Sequence, residues 1–329
     1  MTASHAAESV PIARTRPLKV GIVLQHWTSG PGVAPSWSQM QERAQLAEDL
    51  GFDSIWLVDH LQFRRTSSAL NREQAPDPNR PEWVNLWESF TVLSALAVAT
   101  KRVELGTLVT CTAYRNPAML ARIADTIDEI SGGRLILGLG AGNHPTEFEA
   151  FGYDFDKRVG KFEEALRIIV PMLREGEVTF EGEHYQAREA QRAPRGPRTG
   201  GPPILIGAGP RSPRMQRLCA TYADQWNTSL RNGRSHGDQI PPLRESLDAA
   251  CVKVGRDPST LGRTVMVGGT VLGKRMGNAD TVTGEPEQIA ERLRSFAAEG
   301  IDHVQVYLHP NTLEGIEAFA PALALLDQG

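Results

Sequence analysis

Eight short apolar stretches, rich in β-branched residues and separated by helical patterns, constrain this 329-residue chain more than any other feature. They are Leu18–Leu24, Ser54–Val58, Val103–Val109, Leu135–Leu139, Pro203–Ile206, Ala223–Thr228, Thr264–Leu272 and His303–Tyr307. Most are near-continuous hydrophobic runs rather than alternating ones, the pattern of parallel strands covered on both faces. Between them, Trp37, Met40, Ala44, Ala47 and Leu50 share one helical face, and Gly51 is placed to end that helix. Asn116 and Pro117 read as an N-cap and first-turn proline before the stripe Leu120, Ile123, Ala124, Ile127 and Ile130. Val159, Phe162, Leu166, Ile169 and Leu173 form a further stripe. Pro286 opens another, with Ile289, Leu293 and Phe296 on one side and Gly300 at its close. Alternation of strand and helix predicts a parallel α/β architecture, and eight repeats favour a closed (β/α)8 TIM barrel over an open sheet.

A barrel needs about 250 residues and tolerates insertions, so one domain over 18–329 accounts for the length. Residues 1–17 carry Arg14 and Arg16 but no apolar core, and read as a disordered tail rather than a signal peptide. Two stretches interrupt the rhythm. Residues 61–84 hold several arginines and prolines after the second strand, and about 176–202 holds a hairpin-like Val178–Tyr185 and a Pro/Gly/Arg-rich run. Both are expected as insertion loops, at the C-terminal face where barrels carry their sites.

A hydrophobic content of 40 % is that of a globular protein, and a net charge of −4 offers no general attraction to nucleic acid or an anionic membrane. No apolar run approaches the ~20 residues of a membrane span. Cys111, Cys219 and Cys251 are odd in number and far apart, which argues against a disulfide framework and for a cytoplasmic, reducing setting. The histidines His26, His184, His236, His303 and His309 show no metal-ligand spacing, and neither a P-loop nor a Ser-His-Asp order is present.

The most informative segment runs Gly106-Thr107-Leu108-Val109-Thr110-Cys111-Thr112-Ala113-Tyr114-Arg115-Asn116-Pro117. Asp128-Glu129-Ile130-Ser131-Gly132-Gly133-Arg134 and Gly138-Leu139-Gly140-Ala141-Gly142-Asn143 follow it. Glycines at a strand end let a flat ligand approach the backbone. The GxGxG alone is weak, because it lacks the helix and distant acidic residue of a Rossmann site. In combination these segments resemble the bacterial luciferase-like family of flavin-dependent oxidoreductases, in particular its F420-dependent branch. The resemblance continues through Ser54-Ile55-Trp56-Leu57-Val58-Asp59-His60, Glu147-Phe148-Glu149-Ala150-Phe151-Gly152, Pro203-Ile204-Leu205-Ile206-Gly207-Ala208-Gly209 and Ala223-Asp224-Gln225-Trp226-Asn227. It ends in Gly284-Glu285-Pro286 and Gly300-Ile301-Asp302-His303-Val304, covering about 18 to 326.

The resemblance implies a cofactor at the C-terminal mouth, F420 or alternatively FMN. It implies a non-proline cis peptide at Leu108–Val109, against which the tricyclic ring lies, with Thr110 beside it. His60 takes the place of the active-site histidine, suited to moving a proton near neutral pH. Asp59 is expected to contact the cofactor or orient His60. Gly140, Gly142 and Asn143 are expected beside the ring. Gly207, Ala208, Gly209 and Arg211 precede a helix whose N-terminus suits the cofactor phosphate, and Arg64, Arg65 and Arg72 are candidates for the glutamyl tail. The implied partner is a small-molecule substrate, with a homodimer and a separate flavin or F420 reductase as further expectations.

Departures from the family pattern bear on substrate and cofactor. Glucose-6-phosphate dehydrogenase members carry Glu and Trp where this chain has Asn143 and Arg64, which weakens a sugar-phosphate reading. Luciferases proper carry an arginine for the flavin phosphate where this chain has Ala141, which argues against FMN. His144 is a spare acid/base candidate. Three readings follow: F420-dependent hydride transfer, an FMN-dependent monooxygenase using O2, and a non-catalytic ligand-binding barrel.

Overall fold

A computed structural model describes residues 16–28, 33–64, 83–192, 194–230, 235–274 and 281–328. The barrel strands are β1 (Lys19–Val23), β2 (Ser54–Leu57), β3 (Glu104–Thr107), β4 (Leu135–Gly140), β5 (Ile204–Gly207), β6 (Gln225–Leu230), β7 (Gly262–Thr270) and β8 (His303–His309). All are parallel. The order runs β5-β6-β7-β8-β1-β2-β3-β4, and β4 returns to β5 through Ile204 opposite Leu137 and Ile206 opposite Leu139. The closed barrel expected from the eight apolar runs is present, and closure leaves no unpaired sheet edge.

The helices are α1 (Trp37–Asp49), α2 (Ser89–Ala99), α3 (Pro117–Ser131), α4 (Pro145–Ala150), α5 (Arg158–Arg174), α6 (Pro213–Tyr222), α7 (Ile240–Lys253), α8 (Pro286–Ala298) and α9 (Leu313–Leu326). Local signals set their ends. Ser36 and Gln39 form a capping box on α1. Asn116 accepts from the Ala118 and Met119 amides with Pro117 in the first turn, and Gly132 closes α3 in the left-handed region. Two members of the expected stripes differ: Trp37 and Ile130 are exposed at helix termini, where the inward arc has rotated past the core.

Inside the barrel, Trp56 is fully buried with Val23, Leu108, Ile136, Leu205 and Met266. Its indole occupies room that two glycines leave. A Cβ on Gly21 would lie 2.6 Å from Trp56 Nε1, and one on Gly106 would lie 2.3 Å from its Cζ3. Below, Trp56 Nε1 donates to Ser54 Oγ at 2.6 Å, and Ser54 Oγ lies 2.7 Å from His303 Nε2.

The two insertions lie at opposite ends. Residues Gln62–Arg64 and Trp83–Asn85 pair as a hairpin after β2, at the expected C-terminal face. Residues 176–202 were expected at that face too, but they follow a helix and lead into β5, so they pack at the N-terminal end. There Glu177–Glu181 pairs with Gln186–Gln191. The fully buried Arg192 holds Asp125 at 2.6 Å, Arg198 holds Asp128, and both carboxylates belong to the C-terminal half of α3.

The expected tail falls largely outside the described residues. Arg16, however, is ordered: its guanidinium bonds Asp327 at 2.7 and 2.8 Å and Asp53 at 3.2 Å. No helix among the described residues is long and apolar enough to cross a membrane.

Candidate active site

The C-terminal ends of β2, β3 and β4 converge on His60. Its Nδ1 lies 2.9 Å from Glu147 Oε2, and the Glu147 side chain is completely buried while that of His60 is 25 % exposed. A carboxylate can only accept, so Nδ1 carries the proton and Nε2 on the opposite edge is left as a base. Glu147 also accepts from the Leu61 and Gln62 amides. Burial alone would raise its pKa. The hydrogen bond from His60, the charge His60 carries when protonated, and the Leu61 amide more than offset this and hold it below the usual carboxylate range. Burial pushes the Tyr114 phenol up, and pushes the neighbouring Cys111 thiol up to about 12. Both stay protonated at neutral pH.

Asp59 does not meet the expectation that it orients His60. Its carboxylate accepts from Ser89 Oγ at 2.6 Å, the Cys111 amide at 3.0 Å, and Arg115 at 2.7 and 3.0 Å. Arg115 also bonds Glu88, which caps α2, and lies over the Phe90 ring. Asp59 therefore ties the end of β2 to α2 and to the segment after β3. The group that orients His60 is Glu147, which the sequence places in a recognisable motif without saying whether Glu147 or Glu149 turns inward. Packing decides it: Glu147 is buried beside Phe148, and Glu149 is exposed.

His144 is buried at the N-cap of α4, stacked on Phe63 at 5.3 Å and edge-on to His60 at 4.8 Å. The Leu108–Val109 bond is cis. Val109 is half-buried and packs on the barrel interior together with Val58, Trp27 and Tyr307. Thr110 is buried, and its hydroxyl makes no hydrogen bond.

Gly138 and Gly140 of β4, and Gly142 just beyond it, lie against neighbouring chain segments. They were expected to admit a ligand. A Cβ on Gly138 would fall 1.9 Å from Thr107 O, one on Gly140 would lie 2.7 Å from Val109, and one on Gly142 would lie 2.7 Å from Cys111 Sγ. On that face the room they leave is taken by the end of β3, by Val109 and Cys111 after it, and by Phe148 of α4. Asn143, next in the chain, is exposed at the mouth.

A cavity of about 600 Å³ opens beyond β5 and β6, lined by Gly207, Ala208, Gly209, Arg211, Asn227 and Ser229 among others. A Cβ at Gly207 or Gly209 would meet nothing within 4 Å. No side chain caps the first turn of α6, which begins beside this cavity. Open glycines, an uncapped helix N-terminus and Arg211 fit a phosphate group. Ala141 packs on the apolar core, so no cation stands there. Arg64 lies over the Trp83 ring, and Arg65 and Arg72 lie outside the described residues. Among the described residues no three His, Cys, Asp or Glu side chains gather to hold a metal ion. His26, fully buried, lies 3.1 Å from Leu24 O and 2.9 Å from Val58 O, a structural position that burial keeps below the ordinary histidine pKa.

Known proteins resemble this chain as follows. The profile of the luciferase-like monooxygenases matches residues 18–274. The 5,10-methylenetetrahydromethanopterin reductase of Archaeoglobus fulgidus is 31 % identical over 66 % of this chain, which spans 56 % of that relative's length. The F420-dependent glucose-6-phosphate dehydrogenase of Kineococcus radiotolerans is 30 % identical over 77 % of this chain and 68 % of its own. A solved F420-dependent secondary alcohol dehydrogenase, in complex with an F420–acetone adduct, superposes with a TM-score of 0.71 over 94 % of this chain and 99 % of its own, at 18 % identity.

Proposed function

The chain belongs to the luciferase-like monooxygenase family, and from that premise we propose that it is an F420-dependent oxidoreductase acting on a small organic substrate. The observation that carries the reading is the partly exposed His60, held on Nδ1 by the buried Glu147. F420, when bound, supplies a hydride acceptor or donor at its C5 carbon, chemistry that protein side chains lack.

The chain's own residues would do the rest. Gly207, Ala208, Gly209 and Arg211 would hold the phosphate, and Leu108, Val109 and Thr110 would lie under the ring. His60 Nε2 would take the proton from a substrate hydroxyl during oxidation and return it during reduction. Glu147 would keep the ring in one tautomer and face the imidazolium that forms, while the Leu61 and Gln62 amides steady Glu147. Asp59 is a positioning residue, because its protein partners already use its oxygens. Three buried free thiols support a reducing compartment; the homodimer would be read by sedimentation.

The family's monooxygenases keep FMN as the second reading, with reduced flavin delivered by a separate reductase. The apolar seat of Ala141 counts against it. Titrating the purified protein with F420 and with FMN tests the choice. F420 should bind, and tight FMN binding without F420 binding would end the proposal.

A further inference from the structure

The mouth has two unlike halves. In an eight-stranded ring β1 stands opposite β5, and β8 opposite β4. The β5–β6 side is an open cavity lined by glycine backbone. The β8–β1 side carries Trp27 and Tyr307, whose rings stack at 5.3 Å with an interplanar angle of 24°. Both rings are half-buried on the barrel interior, in one cluster with Val58 and Val109.

Trp27 is held in place rather than draped over the surface. Its backbone bridges Leu86, while Thr28 N bonds Asn85 O at 2.9 Å and Trp87 N bonds His26 O at 3.0 Å. Tyr307 sits on β8 directly across from Gly268 of β7, so no side chain stands beside it on that strand. A preordered, half-buried aromatic pair favours a flat apolar partner, because stacking needs a planar face and the ordering entropy is already lost. Val58, half-buried with this pair, lies two residues before His60.

We propose that Trp27 and Tyr307 form the substrate-recognition wall and that the substrate is a compound with an aryl or other planar apolar group next to its alcohol or carbonyl carbon. This rests on the F420 reading, in which the β3 and β5–β6 ends serve the cofactor and leave the β8–β1 side to the substrate.

The test uses two ketones of matched size, acetophenone and cyclohexyl methyl ketone, titrated calorimetrically into the full chain with and without F420. Acetophenone should bind about two- to tenfold tighter. Trp27→Ala should erase that preference, Trp27→Phe should keep it, and both variants should still unfold in one cooperative transition. Equal affinity for the two ketones, no acetophenone binding, or a preference that survives in Trp27→Ala or in Tyr307→Leu would overturn the wall. F420 binding without discrimination between the ketones removes the wall alone, whereas failure to bind F420 removes the cofactor reading.

Discussion

His60 and His303 stand at opposite ends of the barrel, and their surroundings differ in one decisive respect. His303 opens β8 at the N-terminal end, fully enclosed, with the neutral Ser54 hydroxyl at 2.7 Å. Burial lowers its pKa to about 3, so the ring is neutral at any physiological pH. His60 follows β2 at the C-terminal end, partly open, with a buried carboxylate on Nδ1. The carboxylates differ in the same way. At the N-terminal end Asp125 and Asp128 face Arg192 and Arg198, which never lose their charge. At the mouth Glu147 faces a histidine and backbone amides. Fixed charge pairs fasten one end, and a pair able to exchange a proton occupies the other.

The comparison breaks first at His60. His60→Ala should lower turnover by about 10²–10⁴-fold while leaving F420 affinity close to wild type; a variant with full turnover would remove the proton-transfer role. At the other end, Arg192→Ala should cost about 3–5 kcal/mol, because it leaves the buried Asp125 charge with only the Gly196 amide to meet it. Denaturant unfolding reads this directly, and a loss below about 1 kcal/mol would mean the N-terminal pairs do not fasten that end.

Acid sharpens the contrast. His303 is neutral in the folded barrel and gains a proton only on unfolding. Its contribution is therefore complete above about pH 6.5 and declines as pH falls toward its folded value of about 3. The expected slope in that window is about 1.4 kcal/mol per pH unit from this residue. A His303→Gln variant that retains the full acid sensitivity would assign the slope elsewhere.

Glu147→Gln keeps the shape and an acceptor but removes the charge. The loss of a charged hydrogen bond, worth about 1.5–3 kcal/mol, should lower turnover by about 10–100-fold and alter the pH profile. An unchanged profile would make Glu147 purely structural. The smallest expected effect is at Gly140. Gly140→Ala should destabilise by about 1–3 kcal/mol, since its Cβ would press on Val109, with cofactor affinity disturbed only through that shift. A stable variant that has lost cofactor binding would restore the ligand-contact role expected of this glycine.

The helices show how far local reading reaches. Asn116, Pro117 and Gly132 mark α3, and Pro286 and Gly300 mark α8, because caps and left-handed turns involve residues a few positions apart. The site was legible as a neighbourhood. Asp59-His60 and the Leu108–Val109 bond lie where the motifs point, but their partners were not readable. Glu147 meets His60 across 87 positions, and Arg115 meets Asp59 across 56.

What the sequence determined alone was the barrel and the end of it that carries the histidine, because hydrophobic period and strand–helix alternation are properties of short segments. Tertiary structure decided which carboxylate serves His60, that Gly138, Gly140 and Gly142 make room for Thr107, Val109 and Cys111, and that residues 176–202 close the far end. These depend on which side chains meet when distant segments pack, and volume and charge are settled only at that contact.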